Sequence, residues 1–201
     1  MDYFFTDSFE DLNVQARERY GSIYENWCAL DQSLAKLRGD PKGHSYYHLD
    51  ANWDIILRCV EDEQQEIFTA AGTYRGASTL FLQISLSKWW LFSIYELLRA
   101  STAEGLCSPS LNCKGYCKRP DCFNCQVLET KQELNHFRIP AAKFERALVK
   151  DSANYHSQLV FENEGGSVGW KTENYMSRVN GVDIVSRREL SDFVIERLIR
   201  T

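Results

Sequence analysis

Apolar residues recur every three or four positions in the first part of the chain: Leu12, Ala16, Tyr20, Ile23, Trp27, Leu30, Leu34 and Leu37. That spacing is the seam of a long amphipathic helix, close to a heptad repeat. Ser8, followed by Glu10 and Asp11, offers an N-cap hydroxyl and first-turn acids that the helix dipole favours. Arg38-Gly39-Asp40-Pro41 offers the stop. Gly21 within the run costs about 1 kcal/mol against alanine. The seam can pack on the rest of the chain or on a second subunit, and packing within the chain is the favoured expectation.

A second helix is expected from near Asp50 through Trp53, Ile56, Leu57, Val60 and Ile67, with a break between Gly72 and Gly76. A third, over 78–100, is apolar on nearly every side in the run TLFLQISLSKWWLFSIYELLRA. It is long enough to invite comparison with a membrane span. Lys88 near its middle, with Gln83, Glu96 and Arg99, instead makes it the central, buried helix of a bundle.

A fourth helix is expected over roughly 126–137, and Pro140 sets a new helical start, because proline is tolerated in a first turn and not in an interior. Residues 141–149 continue that helix. Beyond Asp151 the pattern turns to alternation: 157–162, 168–172 and 182–185 read as short strands, joined at Glu164-Gly165-Gly166 and Asn180-Gly181. Ser186 with Glu189 three residues on is a capping box that opens a last helix. The fold class expected is mainly α: a helical bundle with a cysteine-rich metal-binding insert and a small C-terminal antiparallel β-meander plus helix. Residues 1–156 form the bundle with the insert at 107–125, and 157–201 pack on the same domain.

The 201 residues include five Trp, ten Tyr and eleven Phe, with 25% charged, which suits a packed globule and not a disordered chain. A net charge of −5 argues against a protein that coats nucleic acid. Residues 1–66 hold fourteen acids and six bases, whereas 67–201 hold fourteen and seventeen. Such asymmetry can steer a partner or let two copies meet head to tail, although solvated helix faces of unequal composition explain it more simply. MDYFFTDSFEDL has neither a basic n-region nor a sustained apolar stretch, so a secretory signal is not expected and a reducing cytoplasm is.

In that compartment clustered thiols bind metal more often than they form disulfides. Five of the seven cysteines, Cys107, Cys113, Cys117, Cys122 and Cys125, fall within nineteen residues. Cys113 with Cys117 and Cys122 with Cys125 are two short-spaced pairs, each able to grip one tetrahedral Zn2+ from a single turn. Lys114, Lys118 and Arg119 against Asp121 offset the charge of four thiolates on one Zn2+ and lower the thiol pKa values. An iron–sulfur cluster is the alternative, although the ferredoxin spacing is absent, and uncomplexed or redox-active thiols are a third. Cys107 or His136 can replace one thiolate. Cys28 and Cys59 read as core residues on helices. Lys114, Tyr116, Lys118 and Arg119 also resemble, in kind, loops that stack bases and hold phosphates. The simpler reading is an insert that needs metal in order to fold.

On the third helix Lys88, Tyr95 and Arg99 stand at i, i+7 and i+11, with Ser85 and Glu96 beside them. His136, Arg138, Lys143 and Glu145 offer partners. The set reads either as an ion-pair network that fixes helix register or as a pocket with acid, base and anion-binding groups. Established catalytic patterns are missing: no glycine-rich phosphate loop, no His-Glu-x-x-His and no Gly-x-Ser-x-Gly occurs, nor the zinc-deaminase pair of motifs. His44 and His48 stand at i, i+4, but Pro41 and Gly43 place them in a loop.

Arg38 and His44 have the spacing of the Arg and His that small helical ribonucleases of the HEPN class carry on a helix. The chain resembles that class in this motif and in its helical character, which implies RNA cleavage as the enzyme alternative. Gly39-Asp40-Pro41-Lys42-Gly43 between them keeps the two side chains off one helical face, so the activity is not carried over. The leading expectation is a cytoplasmic, non-catalytic, zinc-stabilised helical protein acting through a protein partner or by self-association, as in a subunit of a larger prokaryotic complex. Nucleic-acid binding is second, and no membrane association is expected.

Overall fold

The computed structural model describes residues 4–40, 48–74, 76–102, 122–143, 157–162, 166–172 and 184–199. Among these the order is α1 (Phe4–Leu37), α2 (His48–Ala71), α3 (Ala77–Thr102), α4 (Phe123–Lys143), β1 (Ser157–Glu162), β2 (Ser167–Thr172), β3 (Ile184–Ser186) and α5 (Arg187–Ile199). A mainly helical chain with a small antiparallel sheet and a closing helix is what the periodicities predict. The insert lies outside the described residues except for its last cysteines.

The α1 helix starts at Phe4, so Ser8 is an interior residue and not a cap. Its backbone departs from helical angles at Tyr20 (φ −123°, ψ 31°), beside the Gly21-Ser22 pair where a helix bends most readily. Its end is a Schellman motif. Gly39 takes φ 69°, its N–H donates to the Lys36 carbonyl, and the Asp40 N–H donates to the Ala35 carbonyl, both at 3.1 Å. The predicted seam faces inward, with Trp27, Leu30 and Leu34 in the main core and Ala16 beside Ile55 and Ile56 of α2.

One core joins helices to sheet: Trp90, Ile94 and Leu98 of α3, Val127 and Phe137 of α4, Trp170 and Val185 of the strands, and Val194 and Leu198 of α5. The sheet order is β1-β2-β3, with Leu159 opposite Trp170 and Trp170 opposite Val185. Among the described residues no helix is long and apolar enough to cross a membrane.

Two further expectations need correction. The α4 helix runs unbroken from Phe123 through Pro140 to Lys143, so Pro140 does not open a helix; so near an end, a proline forfeits only one ladder bond. Nor is α3 buried all round: Phe81, Leu82 and Trp89 are 67%, 59% and 75% exposed. The capping box is as expected: the Ser186 N–H donates to Glu189 Oε2 (2.8 Å), and the Glu189 N–H donates to Ser186 Oγ (3.1 Å).

Candidate functional site

The densest polar chemistry lies where α5 enters against α2. Asp54, Arg58 and Glu61 stand at i, i+4 and i+7, one face of α2, and all three are buried. The capping box turns the chain so that Arg187 leads directly under that face. Arg187 is fully buried and donates Nε to Glu61 Oε1 (2.6 Å), Nη2 to Glu61 Oε2 (2.7 Å) and Nη1 to Asp54. Its guanidinium carbon lies 5.3 Å from the centre of the Trp90 ring, a cation–π contact. Arg58 donates to Asp54 Oδ2 (2.9 Å), Ser191 Oγ (2.9 Å) and Asp192 Oδ1 (2.5 Å). Trp27 Nε1 and Ser167 Oγ also donate, to Asp54 (3.0 Å) and Glu61 (2.9 Å).

Toward the surface Arg188 donates to Glu61 (3.1 Å), to Asp62 (2.8 Å) and to the Arg58 carbonyl (2.9 Å), while the Tyr20 hydroxyl donates to Asp62. Four carboxylates, Asp54, Glu61, Asp62 and Asp192, thus face the guanidiniums of Arg58, Arg187 and Arg188. Burial alone would raise the Asp54 carboxyl, but Arg187 and Arg58 outweigh it and hold the pKa below the usual carboxylate range. Asp62 is likewise held low: burial would raise it, and the bonds from Tyr20 and Arg188 prevail. Carboxylates so engaged are poor proton acceptors, and the network works as a clasp. None of the charged residues of this network stood out in the sequence.

The clasp is extended by the turn before β2. Gly166 takes φ 61°, and a Cβ there would collide with the Glu61 carbonyl oxygen and lie 2.8 Å from the Gln65 backbone nitrogen. Its own carbonyl accepts a bond from Gln83 Nε2 of α3 (2.7 Å).

The residues anticipated as a pocket are brought together only in part. Arg138 lies over the Tyr95 ring, 4.2 Å from its centre, and donates to Asn135 Oδ1 (3.3 Å). Glu96 and Arg99 pair with each other at 2.5 Å on the open surface, with side chains 50% and 57% exposed. Lys88 is half-buried, and His136 is half-buried with its pKa lowered by burial. The side chain of Lys143 lies outside the described residues.

Cys122 directly precedes α4, and its carbonyl accepts the Gln126 N–H (3.0 Å); Cys125 is in the first turn and buried. The pair is therefore one turn apart at a helix N-terminus. His136 follows Cys125 by eleven residues in the same helix, about 16 Å along the axis at 1.5 Å per residue. It cannot share one ion with Cys125. Cys107, Cys113, Cys117, Lys114, Tyr116, Lys118 and Arg119 lie outside the described residues, among which no three potential ligands meet. Cys28 and Cys59 are half-buried, and burial pushes both thiols up.

Where the first three helices meet, Asp31 of α1 and Asp50 of α2 are both buried. Burial pushes Asp50 up to about 6; a hydrogen bond with Ser93 opposes this and the charge of Asp31 adds to it. Arg38 of the ribonuclease-like motif is in the turn after α1, donating to Ser101 Oγ (3.0 Å), and His44 is outside the described residues. No family profile, curated protein or solved structure matches this chain, so its function is argued from these residues alone.

Proposed function

We propose that the chain is a zinc-stabilised helical protein that acts by binding a protein partner. The observation that carries the metal is the pair Cys122 and Cys125, set one turn apart at the N-terminus of α4 with three more cysteines in the fifteen residues before them. These two thiolates would supply half of a tetrahedral site, and Cys113 with Cys117 the other half. Such an ion has a structural task there, tying the start of α4 to the segment that precedes it. The partner reading is supported by the exposed apolar side chains of α3, since large apolar groups grouped on one face mark interaction surfaces.

Elemental analysis and an absorption spectrum of protein purified without added metal test the reading. About one zinc per chain and no visible colour are expected, as for a four-thiolate structural site. Cys122→Ser should lower both the zinc content and the thermal midpoint. Iron with visible absorbance, or no metal, would sink it.

A further inference from the structure

We propose that the exposed face of α3 is a self-complementary surface on which a second copy of this chain docks. The inference rests on the partner reading above and names that partner; it does not require the metal.

Between Ala77 and Tyr95 the only charged side chain of α3 is Lys88. Leu82 and Trp89 stand at i and i+7, on one line along the helix, with Phe81 flanking them. Ser85 lies between, three residues from Leu82 and four from Trp89. Its hydroxyl donates back to the Phe81 carbonyl (2.9 Å), so it asks nothing of a neighbour. The pattern is thus large, small, large, and nearly symmetric about Ser85. Two such helices laid antiparallel across Ser85 place Phe81 and Leu82 of one copy on Trp89 of the other, and the two-fold axis repeats the contact. The small residue at the crossing lets the helices approach, and the two Lys88 fall on opposite sides of it, about 9 Å apart along the axis.

The area suits a reversible dimer. Phe81, Leu82 and Trp89, exposed by 67%, 59% and 75%, leave roughly 400 Å² of side chain in water per copy. Two copies bury roughly 800 Å², and the rim of Ser78 and the Lys88 stem brings the total toward the lower bound of about 1,200 Å² for specific interfaces.

Sedimentation velocity over a concentration series tests this with the whole protein, alongside Leu82→Glu and Trp89→Glu, whose exposed positions leave folding intact as checked by circular dichroism. The wild type should show a monomer–dimer equilibrium, and each variant should weaken it at least tenfold. Ser85→Cys should form a covalent dimer on mild oxidation that the wild type, treated alike, does not, because residues at the crossing come within disulfide range. A wild type that stays monomeric throughout, or a dimer indifferent to both glutamates, overturns the proposal. Zinc measured on the same sample separates the two readings: a zinc-bearing monomer sinks only the dimer, and a zinc-free dimer sinks only the metal.

Discussion

Arg187 and Glu61, 126 residues apart in sequence, meet through two parallel N–H···O bonds of 2.6 and 2.7 Å with neither side chain exposed. Removing one member of such a pair leaves the other charged and buried, which costs about 3–5 kcal/mol. Arg187→Ala should therefore destabilise the protein by that amount in urea unfolding. Arg99→Ala, which breaks a pair that is half in solvent, should cost no more than about 1 kcal/mol. Equal effects would show that the clasp is not what holds α5.

The pH response has two opposing parts. Asp54 and Asp62 have depressed folded pKa values, so their stabilisation is present above the ordinary carboxylate range and is lost as pH falls through those values. Asp50 has the reverse sign. Its pKa rises from 3.8 to about 6 on folding, so stability falls as pH climbs through that window and the cost is complete above it. At about 1.4 kcal/mol per unit, that cost is about 3 kcal/mol. Asp50→Asn, which keeps a hydrogen-bonding group for Ser93, should raise the thermal midpoint at pH 7 and leave it unchanged near pH 4. A loss of stability at pH 7 would contradict this sign.

Gly166→Ala meets two penalties, a left-handed φ and a collision with the backbone of α2. The cost should exceed the about 1 kcal/mol of conformational strain alone. Gly39 takes a similar φ with open space around it, so Gly39→Ala should show the strain without the collision. The difference between the two variants, read by chemical denaturation, isolates the approach of the β1–β2 turn to Glu61.

Glu189→Ala removes one arm of the capping box and should lower stability by about 1 kcal/mol. That box was legible because both members and their targets lie within four residues. The seam of α1 was legible for a similar reason, since periodicity reports a buried face without naming what covers it. The clasp was not. Arg187-Arg188 reads locally as a solvated start of a helix, and Asp54, Arg58 and Glu61 read as polar surface on α2; only the fold brings them together. Ser8 misled because a serine inside a helix costs only roughly a few tenths of a kcal/mol, and α1 begins four residues before it, and Pro140 because a proline near a helix end resembles one at a start. The cysteine pair at α4 was legible in spacing alone, whereas its separation from His136 needed the unbroken helix.

The distance in sequence between Arg187 and its acids sets an order of events during synthesis. Glu61 leaves the ribosome 126 residues before Arg187, on the order of ten seconds at about 5–20 residues per second. Through that interval Asp54 has only Arg58 of its own helix and Glu61 has neither of its arginines, so the inner face of α2 must remain wet. The native packing of α2 against α5 cannot close until Arg187 has emerged, and a chain halted before that residue would expose its acids and its unfinished core together.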